Sequence, residues 1–586
     1  MKVIVRLLTF VRGYWYILGL AFLCIVLQTG LGLAIPRLLG DGIDSVLRNG
    51  ARSYIWIIAG AIIGVSIVRG ASGYGQRFLI EFVAQKATYA MRNALYERIQ
   101  RLSFAFHDQS QTGQLMSRAT VDIEAVRMFV SMGLLGLVQV VLMVLVVAYL
   151  LLIIDWQLAL FTLAFVLPVG WLAISFGRNI RPIWLKVQAV MGTMGTTLEE
   201  SLAGIGVVKA FSHEKEDNRQ FAKQATVLSD EQVHAAKLMA VNAPTMGLLF
   251  TIPTAIILWY GGQQVINGSM SIGQVTQFIL YIGMLAMPIR RLGMIVNLYS
   301  RTISAGQRIL EILDTRSEVT EKPHAIQLGR LKGQVSFQDV SFSYNTMSAA
   351  LKHVSFEVQP GQLVALLGRS GSGKSTIANL LARFYDVTDG KILVDGVDVR
   401  DVTLTSLRKN VVAAQQDVFL FSATIKDNIA YGAVNAKMDE IITVAKAANL
   451  HQFIQALPEG YDTWVGERGD TLSGGEKQRL SIARTLLVNP SILILDDSTA
   501  SVDAATEKLI RQALDQLIKN RTTFIITHRL PIIRNADVIL MLQDGELAEK
   551  GTHDELMARG GIYQKLYESQ LSLNKDIIDE AAEEMP

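Results

Sequence analysis

Six long apolar stretches in the first 300 residues constrain the fold of this chain more than any other feature. They cover residues 15–38, 54–76, 128–152, 156–176, 244–266 and 273–297. A helix needs about 20 apolar residues to cross the hydrocarbon core of a bilayer, and each stretch reaches that length. Helices buried in a soluble core can be equally apolar, but six of this length favour a membrane domain with six spanning helices.

The connections between these stretches differ in length and in charge. Short connections near Asp155 and at residues 266–273 carry almost no charge, whereas long connections at residues 77–127 and 177–243 carry most of the basic residues. Because basic loops remain on the cytoplasmic side of a membrane, we predict that both long connections and both termini are cytoplasmic. Apolar residues at helical spacing in the long connections also predict that the spanning helices continue beyond the bilayer.

The amino-terminal sequence MKVIVRLLTFVRGYW has two interpretations. It is typical of a short amphipathic helix at the membrane surface, or it is the irregular start of the first spanning helix. No cleavable signal peptide is expected, because the first apolar stretch is long enough to span and no A-x-A-like site follows it. Cys24 is the single cysteine, so no internal disulfide can form. The net charge of +3 indicates no nucleic-acid partner.

The composition of the chain changes after residue 304. Residues 1–304 form the predicted transmembrane domain, and the polar residues 305–332, with their proline and glycines, are predicted to be a linker. From residue 333 to residue 572, short β-rich runs alternate with helical patterns, which is typical of an α/β domain with a largely parallel sheet. The acidic tail, residues 573–586, is predicted to be disordered.

A glycine-rich loop, GRSGSGKST, follows the strand-like LVALL and precedes the helical TIANLLARF. Its residues are Gly368, Arg369, Ser370, Gly371, Ser372, Gly373, Lys374, Ser375 and Thr376. Glycines let the backbone wrap around a phosphate, with amide groups and a helix N-terminus facing the anion. Lys374 is predicted to reach the β- and γ-phosphates of a nucleotide, and the Ser375 hydroxyl is predicted to bind Mg²⁺. A chance glycine-rich loop would lack this strand–loop–helix context.

Two further motifs point to nucleotide chemistry. In ILILDD, an aliphatic strand ends in two acids, and Asp496 is predicted to hold the Mg²⁺ of the nucleotide. In LSGGEKQR, a serine and two glycines precede a helix and form a second anion-binding N-terminus. One nucleotide needs only one phosphate loop, so this second element requires another explanation.

Together, GRSGSGKST, LSGGEKQR, ILILDD and ITHRL resemble an ATP-binding cassette (ABC) domain, and the six apolar stretches resemble the exporter-type half-transporter of that family. HDQSQTGQLMSRATVDIEAV and GIGVVKAFSHE are similar to its intracellular loops. The resemblance implies a multidomain membrane protein, with a six-helix transmembrane domain of the ABC exporter type followed by an α/β P-loop nucleotide-binding domain with a helical subdomain. It also implies ATP and Mg²⁺ as cofactors and a second half-transporter as partner.

The resemblance assigns roles to individual residues. The signature residues would act in trans, on ATP held by the partner's cassette, and they are Leu472, Ser473, Gly474, Gly475 and Glu476. Tyr344 would stack on adenine, Asp503 would communicate between the two ATP sites, and His528 would hydrogen-bond the γ-phosphate. Gln416 would bind Mg²⁺, although the family commonly has a proline where this chain has Gln415. Purely structural roles are the alternatives for Tyr344 and His528.

Asp497 departs from the family pattern, in which the residue after the Mg²⁺ aspartate is usually a glutamate that orients the attacking water. The implied catalytic residues are Asp497, His528 and Gln416. An aspartate carboxylate sits roughly 1.5 Å further back, and a misplacement of about 1 Å costs on the order of 100-fold in rate. We therefore predict that the chain binds ATP but hydrolyses it slowly at its own site. The family resemblance implies that such a chain is one half of a heterodimer whose other chain carries the glutamate. A homodimer is the alternative, because His528 is retained.

These features predict ATP-driven export of an amphiphilic or hydrophobic substrate across the bacterial inner or plasma membrane, in contact with membrane lipid. Four alternatives stay open: a homodimeric exporter or lipid flippase, a regulatory nucleotide-binding subunit, a gated channel, and an importer on an exporter scaffold. Arg69 is the main ionisable residue within the spans. Because a charge inside a bilayer is costly, such residues usually mark function.

Overall fold

Two compact units make up the chain. The computed structural model describes residues 2–49, 52–344, 349–414, 418–433, 435–496, 504–527, 529–569 and 571. The first unit comprises residues 1–100 and 111–315, and the second comprises Arg101–Ser110 and residues 316–586. Each unit has its own architecture.

The first unit is built from helices. They are α1 (Lys2–Leu8), α2 (Trp15–Asn49), α3 (Arg52–Arg101), α5 (Thr112–Ser117), α6 (Ile123–Met128), α7 (Leu135–Ile154), α8 (Trp156–Leu163), α9 (Val166–Ala203), α10 (Ile205–Ala210), α11 (Glu214–Ile256), α12 (Gly262–Ile266) and α13 (Ile272–Asp314), while α4 (Phe104–Gln109) belongs to the second unit. A 3₁₀ turn follows α1 at Thr9–Tyr14, and π-helical turns occupy Arg118–Asp122, Phe129–Leu134 and Ile257–Gly261.

Six helical segments among the described residues are long and apolar enough to cross a membrane, which confirms the prediction of six spans. They are Lys2–Leu47, Tyr54–Arg101, Thr112–Ile154, Trp156–Ala203, Glu214–Ile266 and Ile272–Asp314, with 43 to 53 residues each. At about 1.5 Å per residue, such helices are roughly 65–80 Å long, more than twice the about 30 Å of a hydrocarbon core. The helices therefore have the length to extend well beyond a bilayer, as the charged connections predict.

Each of the two short connections contains the residue that caps the start of the next helix. The Asp155 carboxylate accepts a hydrogen bond from the backbone N–H of Leu158 at 2.8 Å, which starts α8 directly after α7. The Ser271 hydroxyl accepts from the N–H of Gln274 at 3.1 Å, and the Gln274 side chain accepts from the N–H of Ser271 at 2.9 Å. Reciprocal bonds of this kind satisfy the free amides at a helix start, so α13 begins at a defined residue.

A polar seam joins α2 to α13. The Tyr281 hydroxyl donates to the carbonyl of Leu33 at 2.9 Å, and the Asp44 carboxylate accepts from the N–H of Gly273 at 2.9 Å. A Cβ on Gly273 would lie 2.1 Å from the carbonyl oxygen of Gly40. The absence of a side chain at Gly273 therefore lets the two backbones touch.

The second unit is an α/β domain. Its strands are β1 (Val335–Phe342), β2 (Leu351–Val358), β3 (Leu363–Leu367), β4 (Asp389–Val394), β5 (Val397–Asp398), β6 (Val411–Ala414), β7 (Ala423–Thr424), β8 (Trp464–Val465), β9 (Ile492–Asp496), β10 (Thr522–Ile526), β11 (Val538–Gln543) and β12 (Glu546–Gly551). Its helices besides α4 are α14 (Lys374–Leu381), α15 (Leu404–Asn410), α16 (Ile425–Ala430), α17 (Met438–Ala447), α18 (His451–Ala456), α19 (Gly474–Val488), α20 (Ala504–Ile518), α21 (Leu530–Arg534) and α22 (His553–Arg559).

The central sheet of this unit has six strands in the order β12-β11-β3-β10-β9-β6. All pairs are parallel except β11 with β12. A second, antiparallel sheet has the order β2-β1-β4-β5, and β7 pairs with β8. The predicted fold class, a membrane domain followed by an α/β domain with a largely parallel sheet, is thus confirmed.

The central sheet is buried on both faces. Along β3, Val364 and Leu366 belong to one hydrophobic cluster, while Ala365 and Leu367 belong to another. Successive side chains of a strand point to opposite faces, so each strand feeds two cores. This arrangement explains why these strands read as continuous aliphatic runs, which is typical of parallel sheets covered on both sides.

The helical unit extends further than the predicted transmembrane domain. Helix α13 continues to Asp314, ten residues beyond residue 304. Ile309 and Ile312 are fully buried, which fixes this stretch as helix despite its charged residues. Conversely, Arg101–Ser110 belongs to the second unit. The domain limits at residues 332 and 572 stay predictions, and the tail 573–586 lies outside the described residues.

Candidate functional site

The glycine-rich loop runs from the end of β3 to the start of α14. Gly368, Gly371 and Gly373 have φ angles of +147°, +80° and +105°. A Cβ on Gly368 would lie 2.3 Å from the Leu542 carbonyl oxygen, and one on Gly373 would lie 2.6 Å from Leu351 Cδ2. Both backbone conformation and space therefore demand glycine at these two positions, and the loop keeps a tight curve that fits a phosphate group.

Lys374 closes over this loop. Its Nζ donates to the carbonyl oxygens of Gly368 and Arg369, both at 2.8 Å. Burial lowers the pKa of Lys374, and the nearby Asp496 carboxylate opposes that shift. A half-buried ammonium whose two hydrogen bonds go to neutral carbonyls is well suited to an anionic ligand, because phosphate oxygens would compensate its lost hydration.

The Ser372 hydroxyl is a second group, after the Lys374 ammonium, that is suited to a bound ligand. Its side chain is 4% exposed, and its hydroxyl has no hydrogen-bond partner within the described part of the chain. Buried hydroxyls without a partner are rare in proteins, so a ligand atom is a natural explanation. Ser375, by contrast, is exposed at the first turn of α14, where its hydroxyl is free to meet a metal ion.

Asp496 ends β9, at the same edge of the sheet as the glycine-rich loop. Strand β10 lies between β3 and β9, and all three are parallel, so the loop and Asp496 lie about 10 Å apart across the sheet. Asp496 and Lys374 are close enough to interact electrostatically. The structure therefore brings together the predicted phosphate-binding lysine and one predicted Mg²⁺ residue.

Tyr344 lies beside the glycine-rich loop. Its hydroxyl donates to Thr376 Oγ1 at 3.3 Å, and its ring meets those of Phe342 and Tyr385 edge-on, at centroid distances of 4.8 and 5.1 Å. The side chain is 44% exposed. An exposed ring fixed at one edge offers a face to a flat ligand such as adenine. This placement does not support the alternative that Tyr344 is only a core aromatic.

The signature residues form the start of α19. Leu472 is buried, and Glu476 accepts from the backbone N–H of Ser473 at 2.8 Å, which fixes the helix start. Ser473 and Gly474 are exposed, and a Cβ on Gly474 would meet open space. A helix start that is fixed and open to solvent is accessible to an anion from another molecule. Gly475 is buried.

Four predicted site residues fall outside the described residues. They are Gln416, Asp497, Asp503 and His528. Their predicted roles in Mg²⁺ binding, catalysis and communication stay predictions. Two of them directly follow described residues. Asp497 follows Asp496, the last residue of β9, and His528 follows Thr527, the residue directly after the neighbouring strand β10.

ATP and Mg²⁺ fit the described residues. The positive-φ glycines, Lys374 and the unsatisfied Ser372 hydroxyl would hold the phosphates, while Ser375 and Asp496 would hold the metal. Among the described residues, no group of three or more His, Cys, Asp or Glu side chains could hold a metal ion. Mg²⁺ commonly binds through one or two protein groups and substrate phosphates, so no larger protein cluster is needed.

Sequence reasoning anticipated that the tips of the long helices dock on a soluble domain, but it did not identify the residues that hold α4 on this domain. The ring of Phe104 lies 4.3 Å from that of Phe384, and the Arg408 guanidinium lies 5.2 Å above the Phe384 ring. The Tyr385 hydroxyl donates a hydrogen bond to Asp108. Burial raises the pKa of Tyr385, and the hydrogen bond to Asp108 raises it further. The aromatic pair in ARFYD, at the end of the predicted P-loop helix, was the available signal.

An exposed aromatic patch was also missed. It consists of Phe419, Phe421 and Tyr431, which are 53%, 37% and 58% exposed. Arg484 organises it, donating to the carbonyl of Asn428 at 2.8 Å and to that of Phe419 at 3.2 Å, with its guanidinium 5.5 Å above the Tyr431 ring. Burial lowers the pKa of Arg484. Exposed aromatic clusters on an otherwise polar surface commonly mark contact sites.

Two segments at the ends of long helices are called tips below: the first tip is Arg101–Ser110, and the second tip is residues 204–213. Ile205, Val207 and Phe211 are 47%, 63% and 74% exposed there. The first tip, Arg101–Ser110, is packed within the second unit, whereas residues 204–213 belong to the first unit alone. An apolar tip without cover is a candidate contact for another chain.

Comparison with known proteins identifies the family. Residues 18–289 match the model of the ABC transporter transmembrane region, and residues 351–500 match that of the ABC transporter. An ATP-dependent lipid A-core flippase of Syntrophus aciditrophicus (strain SB) is 38% identical over 577 residues, covering 98% of this chain and 96% of the flippase. The putative multidrug export ATP-binding/permease protein YgaD of Bacillus subtilis (strain 168) is 36% identical, covering 97% of this chain and 100% of that protein.

The solved structure of a bacterial Atm1-family ABC exporter with ATP bound is similar throughout. It is 31% identical in sequence, its TM-score is 0.80, and the match covers 95% of this chain and 98% of the exporter. The motifs, the two units and these relatives lead to one conclusion: the chain belongs to the ABC transporter family, as an exporter-type half-transporter with a transmembrane domain and an ATP-binding domain.

Proposed function

We propose that the chain exports an amphiphilic or hydrophobic substrate with the energy of ATP, as the slow-site half of a heterodimer. The observation that carries the proposal is the sequence pair Asp496–Asp497 in a chain whose signature, LSGGEKQR, is complete. The aspartate shortens the group expected to orient water at the chain's own ATP. The complete signature equips the chain to serve an ATP held by its partner.

The exposed start of α19 supports shared ATP sites. Ser473 and Gly474 are accessible to solvent, and Glu476 holds the helix start in place. In the proposed dimer, Lys374 and the glycine-rich loop bind the phosphates of one ATP, while Ser473 closes over the ATP of the partner. Phosphoryl transfer depends mainly on positioning and charge, so a short Asp497 slows one site and leaves the partner's site fast.

Two tips would transmit closure of the ATP-binding domains to the membrane. The first tip is held within the chain's own second unit by Phe104 and Asp108. The second, with its exposed Phe211, would dock on the aromatic patch of the partner's ATP-binding domain. The apolar tip and the aromatic patch have matching chemistry, and each is exposed in the single chain.

The substrate is proposed to be a lipid-like amphiphile. Relatives of this chain are named ATP-dependent lipid A-core flippase and putative multidrug export ATP-binding/permease protein. Arg69 lies within the span Tyr54–Arg101 against α2, where its Nε is 3.3 Å from the position of a Cβ on Gly32. The Arg69 side chain is exposed, so its guanidinium within the span would favour an anionic group on the substrate.

The protein is proposed to be a multi-pass protein of the bacterial inner or plasma membrane, with both termini and the ATP-binding domain cytoplasmic. The basic long connections support this orientation. A homodimeric flippase is the second candidate, favoured by the retained His528 and by the flippase relatives.

Two substitutions on this chain distinguish the heterodimeric exporter from the homodimeric flippase. The complex is isolated through a tag on this chain, and its Mg²⁺-dependent ATPase is measured in reconstituted membranes. In the heterodimer, Ser473→Ala impairs the partner's fast site and Lys374→Ala impairs only this chain's slow site. We therefore expect Ser473→Ala to lose about tenfold more ATPase activity than Lys374→Ala. Equal losses from the two variants would mean a homodimer with equivalent sites.

A further inference from the structure

We propose that Asn449 is a positioning residue for ATP hydrolysis, because it holds the start of the signature helix α19 and helix α20 in one fixed arrangement. Asn449 would act through these two helices and not by touching the nucleotide. The inference rests on the proposed function, in which Ser473 closes over the ATP of the partner.

Asn449 occupies the turn between α17 and α18 in a left-handed conformation, with a φ angle of +53°. Its neighbours Ala448 and Leu450 are buried, and the N–H of Leu450 donates to the carbonyl of Ala445 at 2.8 Å. Asparagine is one of the few residues besides glycine that adopt this conformation readily. The backbone of the turn is therefore fixed, and the Asn449 side chain leaves it in a defined direction.

The backbone of Asn449 is connected to the signature helix by Arg479. Arg479 Nη1 donates to the carbonyl of Asn449 at 2.7 Å, and its Nε donates to the carbonyl of Gly475 at 3.3 Å. The Arg479 side chain is buried, so protein acceptors replace the water that would otherwise surround its guanidinium. Gly475 lies two residues after Ser473 in the sequence, so the position of Asn449 constrains the start of α19.

The side chain of Asn449 is connected to α20. Its Nδ2 donates to the backbone carbonyl of Leu509 at 3.2 Å and to Gln512 Oε1 at 3.3 Å. Helix α20 begins at Ala504, directly after Asp503, the residue predicted to communicate between the two ATP sites. A single asparagine thus joins the two helices that are predicted to serve the partner's ATP.

Apolar packing between α19 and α20 specifies this arrangement less sharply. Buried residues of both helices share one hydrophobic cluster, among them Leu480, Ala483, Ile510 and Ala513. Hydrophobic contact is non-directional, whereas hydrogen bonds have preferred directions. The hydrogen bonds through Asn449 therefore restrict sliding and rotation of the helices. This restriction matters for Ser473, because a misplacement of about 1 Å costs on the order of 100-fold in rate.

Asn449→Gly separates the side-chain amide from the backbone conformation. Glycine adopts the left-handed conformation and keeps the carbonyl that Arg479 binds, but it cannot donate to Leu509. The complete complex is isolated through a tag on this chain and reconstituted in membranes. We expect the kcat of its Mg²⁺-dependent ATPase to fall about tenfold, with the KM for ATP unchanged. Asn449→Asp keeps the size of the side chain but removes the donor, so it should lower kcat equally. An unchanged kcat in both variants overturns the inference.

Asn489→Gly is the matched control, at the opposite end of α19. Asn489 is also left-handed, with a φ angle of +50°, and its Oδ1 accepts from Arg521 Nη2 at 2.9 Å. Both glycine variants should lower Tm by a similar amount, but only Asn449→Gly should lower kcat. Equal losses of kcat would be an effect of general stability and would overturn the positioning role.

Ser473→Ala distinguishes failure of this inference from failure of the proposed function. Once the signature serine is removed, Asn449→Gly should cause at most about a twofold further loss, because residues that act as a unit are not additive. A full tenfold further loss, as estimated above for the single variant, would place the effect of Asn449 elsewhere and overturn the inference. If Ser473→Ala lowers activity and Asn449→Gly does not, only the role of Asn449 is wrong. If Ser473→Ala itself has no effect, the shared ATP site is wrong, and the role of Asn449 falls with it.

Discussion

The Tyr385 hydroxyl donates a hydrogen bond to Asp108, a residue 277 positions earlier in the sequence. Tyr385 is buried, and its ring lies edge-on to that of Tyr344, 5.1 Å away. A continuous set of contacts thus runs from the first tip to the tyrosine predicted to meet adenine. This relationship gives the tip a physical connection to the nucleotide site.

Tyr385→Phe should uncouple transport from ATP hydrolysis. The change removes one hydrogen bond to a carboxylate, an interaction worth about 1.5–3 kcal/mol, while the ring stays in place. We expect the amount of substrate moved per ATP to fall about tenfold, with ATPase activity largely kept. Transport and phosphate release are measured in the same proteoliposomes.

Tyr563→Phe is the matched control for this substitution. Tyr563 is also buried, and its hydroxyl lies 2.6 Å from His553 Nδ1, away from the tip. Both variants should lower Tm by a similar amount, but only Tyr385→Phe should change coupling. If both variants uncouple equally, the effect is one of general stability, and the tip has no special role.

ATP affinity should fall at alkaline pH because of Lys374. Burial lowers its pKa, and bound phosphates would raise it again. Below the lowered pKa the lysine is charged before ATP arrives, so Kd is constant. As pH rises through that pKa, binding must take up a proton, and affinity decreases. Titration calorimetry across this range should show the loss in the wild type.

Lys374→Arg provides the comparison for the pH series. A guanidinium stays charged throughout, so its Kd should be flat with pH even if ATP binding is weaker overall. A wild type that follows the same flat profile would show that Lys374 does not titrate in this range.

Arg69→Gln should change substrate preference. The guanidinium is exposed within an apolar helix, so its loss removes attraction for anionic amphiphiles and leaves neutral ones unaffected. We expect the KM for an anionic lipid to rise about tenfold, as for loss of a charge-assisted hydrogen bond. Arg77→Gln, two helical turns further along α3, is the control. Equal changes for anionic and neutral substrates would contradict this role.

Cysteine cross-linking at the second tip can distinguish a heterodimer from a homodimer. Phe211→Cys and Tyr431→Cys are combined in a Cys24→Ala background, and the complex is oxidised in membranes. In the heterodimer, both cysteines lie on this chain, one facing the partner's aromatic patch and the other facing the partner's second tip, so no cross-link between two copies of this chain should form. A covalent homodimer on gel electrophoresis would support two identical chains instead.

The strongest sequence predictions rest on local patterns. Apolar length alone identifies six spans, and glycine spacing after an aliphatic strand identifies the loop that Gly368 and Gly373 shape. Such features depend on neighbouring residues, so a single sequence reveals them.

Long-range contacts could not be predicted in the same way. The pairing of Asp108 with Tyr385 and of Phe104 with Phe384 depends on how two distant segments meet. Likewise, α13 continues past residue 304 because Ile309 and Ile312 find a buried environment that overrides the polar composition. Tertiary packing decided each of these features.

Asp497→Glu tests the central claim most directly. Restoring the longer carboxylate should raise the ATPase activity at this chain's own site, because a misplacement of about 1 Å costs on the order of 100-fold in rate. The measurement is Mg²⁺-dependent phosphate release by the complete complex in a Ser473→Ala background, which silences the partner's site, compared for the wild-type Asp497 and for Asp497→Glu. We predict slow wild-type turnover and an increase of about 100-fold in the variant. Fast wild-type turnover, unchanged by the substitution, would contradict the proposal that this chain carries a slow site.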